Sequence, residues 1–142
     1  MRRLPAFLSL LLLALACAMA AQPASAAAKK KILLQWAEGD SLGQWVMTKH
    51  VGNLLDDLGQ DNVQLEVLTY GPATLAVTRT GAKFAEDIEK FTKRGVVFHV
   101  CHHAMDLFGV KDDQLISTVT PVQGAMSEIV RKYNAGWQIL RP

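Results

Sequence analysis

The chain is short of cysteine, short of aromatics and without a strong charge of either sign, and each shortage excludes something. Only Cys17 and Cys101 occur in 142 residues, too few for a disulfide framework or a multi-cysteine zinc site. Aromatic residues make up 7% of the chain and the formal net charge is +2. With neither a basic face nor an aromatic ladder, nucleic acid is not an expected partner. C-x-x-C-H and H-E-x-x-H are absent, so the haem-attachment and zinc-hydrolase signatures are missing. No apolar stretch of spanning length follows residue 21, so no membrane span is expected past the N-terminus.

What is present begins with a three-part leader. Arg2 and Arg3 form a positive start, Leu8 to Ala21 is an apolar run, and Ala24-Ser25-Ala26 is a small-x-small cleavage site. Ala18-Met19-Ala20 offers an earlier one. This pattern predicts a secretory signal over residues 1–26, cleaved after Ala26 or after Ala20. A flexible leader at 27–30 and one domain over 31–142 are expected to follow. The expected location is therefore periplasmic. Cys17 follows Leu15-Ala16 and offers a lipoprotein alternative, with the leucine one place nearer than that signal prefers.

Removing residues 1–26 leaves 116 residues, a single-domain size. Taking Arg2 and Arg3 from the fifteen basic residues leaves thirteen against thirteen acidic ones. The basic balance thus belongs to the leader, and Lys29-Lys30-Lys31 reads as a solvated edge to the first strand. Near-zero charge also makes self-association easy. One thiol, Cys101, remains, and it has no disulfide partner in its own chain.

Along the domain, strand and helix signals alternate. Ile32 to Trp36 reads as a buried strand. Trp45, Val46, His50, Val51, Leu54, Leu55 and Leu58 recur at helical spacing, ended by Gly59. Val63 to Thr69 is a second strand. Residues 73–81 are ambiguous, with loop expected at Thr78 to Gly81. A helix is expected over Ala82 to Lys93, a strand over Val96 to Val100 closing at Cys101, and a short helix over His102 to Phe108. A surface turn at Lys111 to Leu115 and a fourth strand from Ile116 to Val119 come next. A helix carrying Met126, Ile129, Val130 and Tyr133 and a last strand from Trp137 to Leu140 complete the pattern. The expected class is α/β: a three-layer α/β/α domain on a mostly parallel five-stranded sheet.

Ligands in such folds bind beyond the carboxyl ends of the strands. Cys101 falls there, next to a helix start that favours a thiolate. His102 and His103 flank it and supply charge or take a proton. These three are the candidate catalytic residues. Tyr70-Gly71-Pro72 and Gln123-Gly124 sit at the same edge and are candidate ligand-binding residues, or turns that need glycine. Glu38 and Asp40 read as solvated loop acids. No metal site is expected; the alternative is a copper or zinc site built from His99, Cys101 and His103. No cofactor is expected.

Several pieces then fall into a known order: Ile32 to Trp36, Asn53-Leu54-Leu55, Leu68-Thr69-Tyr70-Gly71-Pro72, Gly95-Val96-Val97-Phe98-His99-Val100-Cys101, Val119-Thr120-Pro121, and Gly136 to Pro142. With them the chain resembles the DsrE/DsrF-like family of small sulfur-relay proteins, and is most similar to its exported, largely uncharacterised branch. The resemblance implies a three-layer domain that assembles into trimers or hexamers. It also implies, for Cys101, a persulfide carried between a sulfur donor and an acceptor protein. Three functions stand open: a sulfur carrier or thiol-based redox protein, at most a sulfur-transfer protein; a soft-metal module; or a non-catalytic oligomeric ligand-binding or interaction protein with Cys101 buried.

Overall fold

The computed structural model describes residues 28–142. The expected signal, both of its cleavage options and Cys17 lie outside the described residues. No helix among the described residues is long and apolar enough to cross a membrane.

Five strands, β1 (Lys30–Trp36), β2 (Val63–Thr69), β3 (Val97–Cys101), β4 (Val119–Val122) and β5 (Gln138–Leu140), form one sheet in the order β4-β3-β2-β1-β5. Every pairing is parallel. The helices are α1 (Ser41–Leu58), α2 (Ala85–Lys93), α3 (His102–Phe108) and α4 (Ala125–Asn134), with 3₁₀ turns at Gly71–Val77 and Asp112–Gln114. The three-layer α/β/α class is as the alternation of signals predicts.

Strand alternation sorts the side chains into two cores. Ile32, Leu34 and Trp36 of β1, Leu65 and Val67 of β2, and Phe98 and Val100 of β3 share one face with Met47, Val51 and Leu55 of α1 and Ile88 of α2. Leu33, Leu68 and Cys101 point the other way, onto Ala104, Ala125 and Trp137. Strand order explains the asymmetry. The chain steps from β1 to β4 in one direction, and right-handed crossovers then put those connections on one face. Only the β4-to-β5 connection runs back across the sheet, so α4 covers the second face largely alone.

The local chemistry agrees with the elements. Asp40 caps α1, its carboxylate accepting the Gly43 N–H at 2.7 Å. Buried Gln44 ties two loops: its amide donates to the carbonyls of Gly39 and Gly81, and its carbonyl accepts the Lys83 N–H. That bond engages Lys83 outside a helix, and α2 begins at Ala85, three residues later than the pattern predicts.

The fourth strand is a correction. The strand is expected from Ile116 to Val119, but the sheet partner runs from Val119 to Val122. Ile116 donates its N–H to Val77, and Leu115 bridges Thr78. Both side chains are buried against the 3₁₀ segment, off the sheet. Burial alone therefore produced the strand-like signal. The first strand also starts earlier than expected, at Lys30, and the third starts one residue later, at Val97, and closes at Cys101 as expected.

Candidate functional site: a thiol cleft at the carboxyl edge

Cys101 is the last residue of β3, opposite Val122 of β4, and directly precedes α3. Its neighbours Phe98 and Val100 are bound by the first core, so alternation turns the thiol to the second face. Here the two connections diverge. Met105 of α3 packs into the first core, while Ala125 of α4 packs into the second. A crevice opens between adjacent strands whose helices leave to opposite faces, the usual place for a ligand in an open α/β sheet.

That crevice is a cleft of about 490 Å³. Cys101, Tyr70, Gly71, His103 and Gly124 line it, and Ala104, Leu107 and Met126 give it apolar walls. Cys101 is 6% exposed, and its Sγ accepts the Ala125 N–H at 3.3 Å. An amide aimed at sulfur is what a thiolate or persulfide anion requires. The first bond inside α4 runs from Glu128 N–H to the Gly124 carbonyl, so the amides before Glu128 have no helical acceptor.

The glycines matter for definite reasons. Gly71 has φ +57° and turns the chain left-handed directly after Tyr70. A Cβ at Gly124 would sit 3.2 Å from His103 Cδ2 and 3.2 Å from Ser127 Oγ. The bare backbone lets the imidazole lie against the start of α4. Tyr70 is anchored by its hydroxyl, which donates to Gln35 Oε1 at 2.9 Å.

The structure brings together Cys101, His103, Tyr70, Gly71 and Gly124 and leaves out the other expected residues. His102 faces Asp106, with Nδ1 3.3 Å from Oδ2, and does not line the cleft. Pro72 and Gln123 are exposed and outside it. Ala125, whose amide reaches the sulfur, directly follows the candidate Gly124 at the start of α4. The Gly124-to-Ala125 helix start was visible, but its proximity to Cys101 depends on β3–β4 pairing.

His99, a member of the alternative metal set, does not line the cleft, and its Nε2 lies 3.1 Å from Glu66 Oε2. Among the described residues no group of three or more His, Cys, Asp or Glu side chains converges to hold a metal ion.

Glu66 is the centre of a second arrangement that sequence reasoning missed. It is a buried carboxylate on the second face, also hydrogen-bonded to Lys132 Nζ of α4. Lys132 in turn lies 4.1 Å from the Trp137 ring centroid and 3.9 Å from Glu128 Oε1. Burial pushes the Glu66 carboxyl up, but hydrogen bonds and charge from His99 and Lys132 outweigh it and hold the group below the ordinary carboxylate value.

Comparison with known proteins agrees with this geometry. A family model described as the DsrE/DsrF-like family matches residues 24–142. Among solved structures, a protein of unknown function from Methanobacterium thermoautotrophicum, MTH1491, is 26% identical with a TM-score of 0.75, over 80% of this chain and 100% of that one. The ychN protein from E. coli is 18% identical with a TM-score of 0.64, over 80% and 99% of the two chains. The conserved protein of unknown function BT1422 from Bacteroides thetaiotaomicron is 16% identical with a TM-score of 0.62, over 80% and 95%. These last two share the fold. No curated protein matches.

Proposed function

The chain belongs to the DsrE/DsrF-like family, and from that premise we propose that it carries sulfane sulfur on Cys101. Family membership supports a sulfur-relay or redox role in general; Cys101 as carrier is the finer step. The observation that carries it is a thiol lining a cleft of about 490 Å³ while accepting a helix N-terminal amide at 3.3 Å.

In this reading the Cys101 thiolate attacks the outer sulfur of a donor R–S–SH. The donor S–S bond breaks, a new S–S bond forms on Cys101, and RS⁻ leaves and takes up the proton lost by the thiol. No net oxidation is involved. His103 lines the same cleft and exchanges that proton. The Ala125 N–H, which reaches Sγ at 3.3 Å, stabilises the attacking thiolate. Export through the leader at 1–26, and assembly into trimers or hexamers handing sulfur to a partner protein, belong to the same reading.

Intact mass after incubation with low-molecular-weight and protein-bound sulfane donors tests it. Wild type gains one reducible sulfur atom and Cys101→Ser gains none. A wild-type protein that no donor loads overturns the proposal.

A different observation favours a second reading, in which Cys101 is filler for the core. The thiol is nearly buried, and Met126, Val130 and Tyr133 of α4 are exposed apolar side chains suited to an oligomer interface. A thiol that alkylates only after denaturation supports this reading against the first.

A further inference from the structure

Among the described residues, α4 supplies the one amide hydrogen-bonded to the Cys101 sulfur, so what holds α4 to the sheet also sets the thiol's surroundings. Its sheet-facing stripe is unusual. Ala125, Glu128, Ile129 and Lys132 share one side at helical spacing, and Ala125 is the only one of them fully buried. Ile129 is half-buried against the second core. The remaining two are charged. Met126, Val130 and Tyr133 face solvent and fasten nothing. A ten-residue helix attached by one alanine and one half-buried isoleucine has little apolar grip.

The charged members supply the missing grip. Lys132 Nζ is hydrogen-bonded to Glu66 Oε2 on β2, in the middle of the sheet, and its side chain and that of Glu66 are only 18% and 7% exposed. The groups facing Glu66 are His99 from β3 and Lys132 from α4, with Glu128 near the ammonium. Trp137, just before β5, covers the same ammonium. One lysine therefore joins α4 to β2 and to the entry of β5.

We propose that the Glu66–Lys132 pair is the tie that seats α4 on the sheet and so keeps the Ala125 amide on the Cys101 sulfur. Glu66 and Lys132 are positioning residues; neither lines the cleft. The proposal rests on Cys101 being the reacting group, but its test uses alkylation and needs no sulfur donor. Failure to load sulfur therefore leaves it standing, and the two can fail separately.

The experiment compares wild type with Lys132→Arg, Lys132→Met and the double variant Glu66→Gln/Lys132→Met. The double variant leaves no unpaired buried charge and guards against simple misfolding. Two quantities are read in folded protein: the alkylation rate of Cys101 by a small neutral reagent, and hydrogen exchange at the Ala125 amide. Lys132→Met and the double variant should speed both by about five- to thirtyfold, the size of a local opening made modestly easier. Exchange in β1 and β2 should stay as in wild type. Lys132→Arg keeps the charge and should restore both quantities to near wild-type values. Unchanged alkylation and unchanged Ala125 exchange in the folded double variant overturn the proposal. So does an acceleration that Lys132→Arg fails to rescue, or one shared equally by the β1 and β2 amides.

Discussion

The two faces of the sheet are built differently. The first face has twenty-one buried apolar residues, drawn from four strands, three helices and the 3₁₀ segment. The second has six, one of them Cys101, together with the Glu66–His99–Lys132 cluster. Strand order causes this, because one crossover of four returns to the second side. The thick face supplies stability. The thin face leaves room for a cleft, exposes the start of α4 and keeps a thiol within reach. Binding segments are commonly drawn from the less stable end of a fold.

The contrast is open to direct attack. Phe98→Ala empties the middle of the thick face and should cost about 3–5 kcal/mol. Ile129→Ala on the thin face, at a half-buried position, should cost less than about 2 kcal/mol. Chemical denaturation of both variants measures the difference; equal losses would erase the distinction between faces.

Next in size is the pH response of the thin face. Glu66 is held below its ordinary value of 4.5, so its folded form binds fewer protons than its unfolded form. The stability it contributes is complete above that ordinary value and is lost as pH falls through the lower folded value. Melting temperatures between about pH 3 and pH 6 should therefore fall more steeply for wild type than for Glu66→Gln. Parallel curves would mean that the cluster adds nothing on folding.

A smaller effect separates the helix ends. Asp40→Ala removes the side-chain cap of α1 and should cost about 1 kcal/mol, readable from the denaturation midpoint. α4 starts at Gly124 with no side-chain cap and has no equivalent to lose. The smallest effect is expected at Val130→Ser, which should change stability by no more than about 0.5 kcal/mol. A larger loss in dilute solution would show that the exposed side of α4 is covered by another surface.

Cys101 was legible as the candidate because a lone thiol at the end of a β signal needs no tertiary information to find. Gly71 and Gly124 were legible through turn chemistry. His102 and His103 are adjacent in sequence, yet α3 turns His102 toward Asp106 and His103 toward Gly124. Which one serves the cleft depends on the helix phase and on its neighbours. Glu66 escaped notice because a charge inside a strand reads as a solvent-facing position. Its partner lies on a helix more than sixty residues away. Ile116 misled in the opposite sense, since burial against a 3₁₀ segment and burial in a sheet look alike in sequence.

By itself the sequence determined the alternation of strands and helices, the parallel class, the place of Cys101 at a strand end and the family resemblance. Those follow from local periodicity, turn residues and the order of short motifs. Only the tertiary structure decided that one helix covers the second face, that its amide meets the sulfur, and that a buried carboxylate and a lysine hold it there. The physical reason is separation along the chain. Strand order and helix docking join residues that carry no mutual signal until packing brings them together.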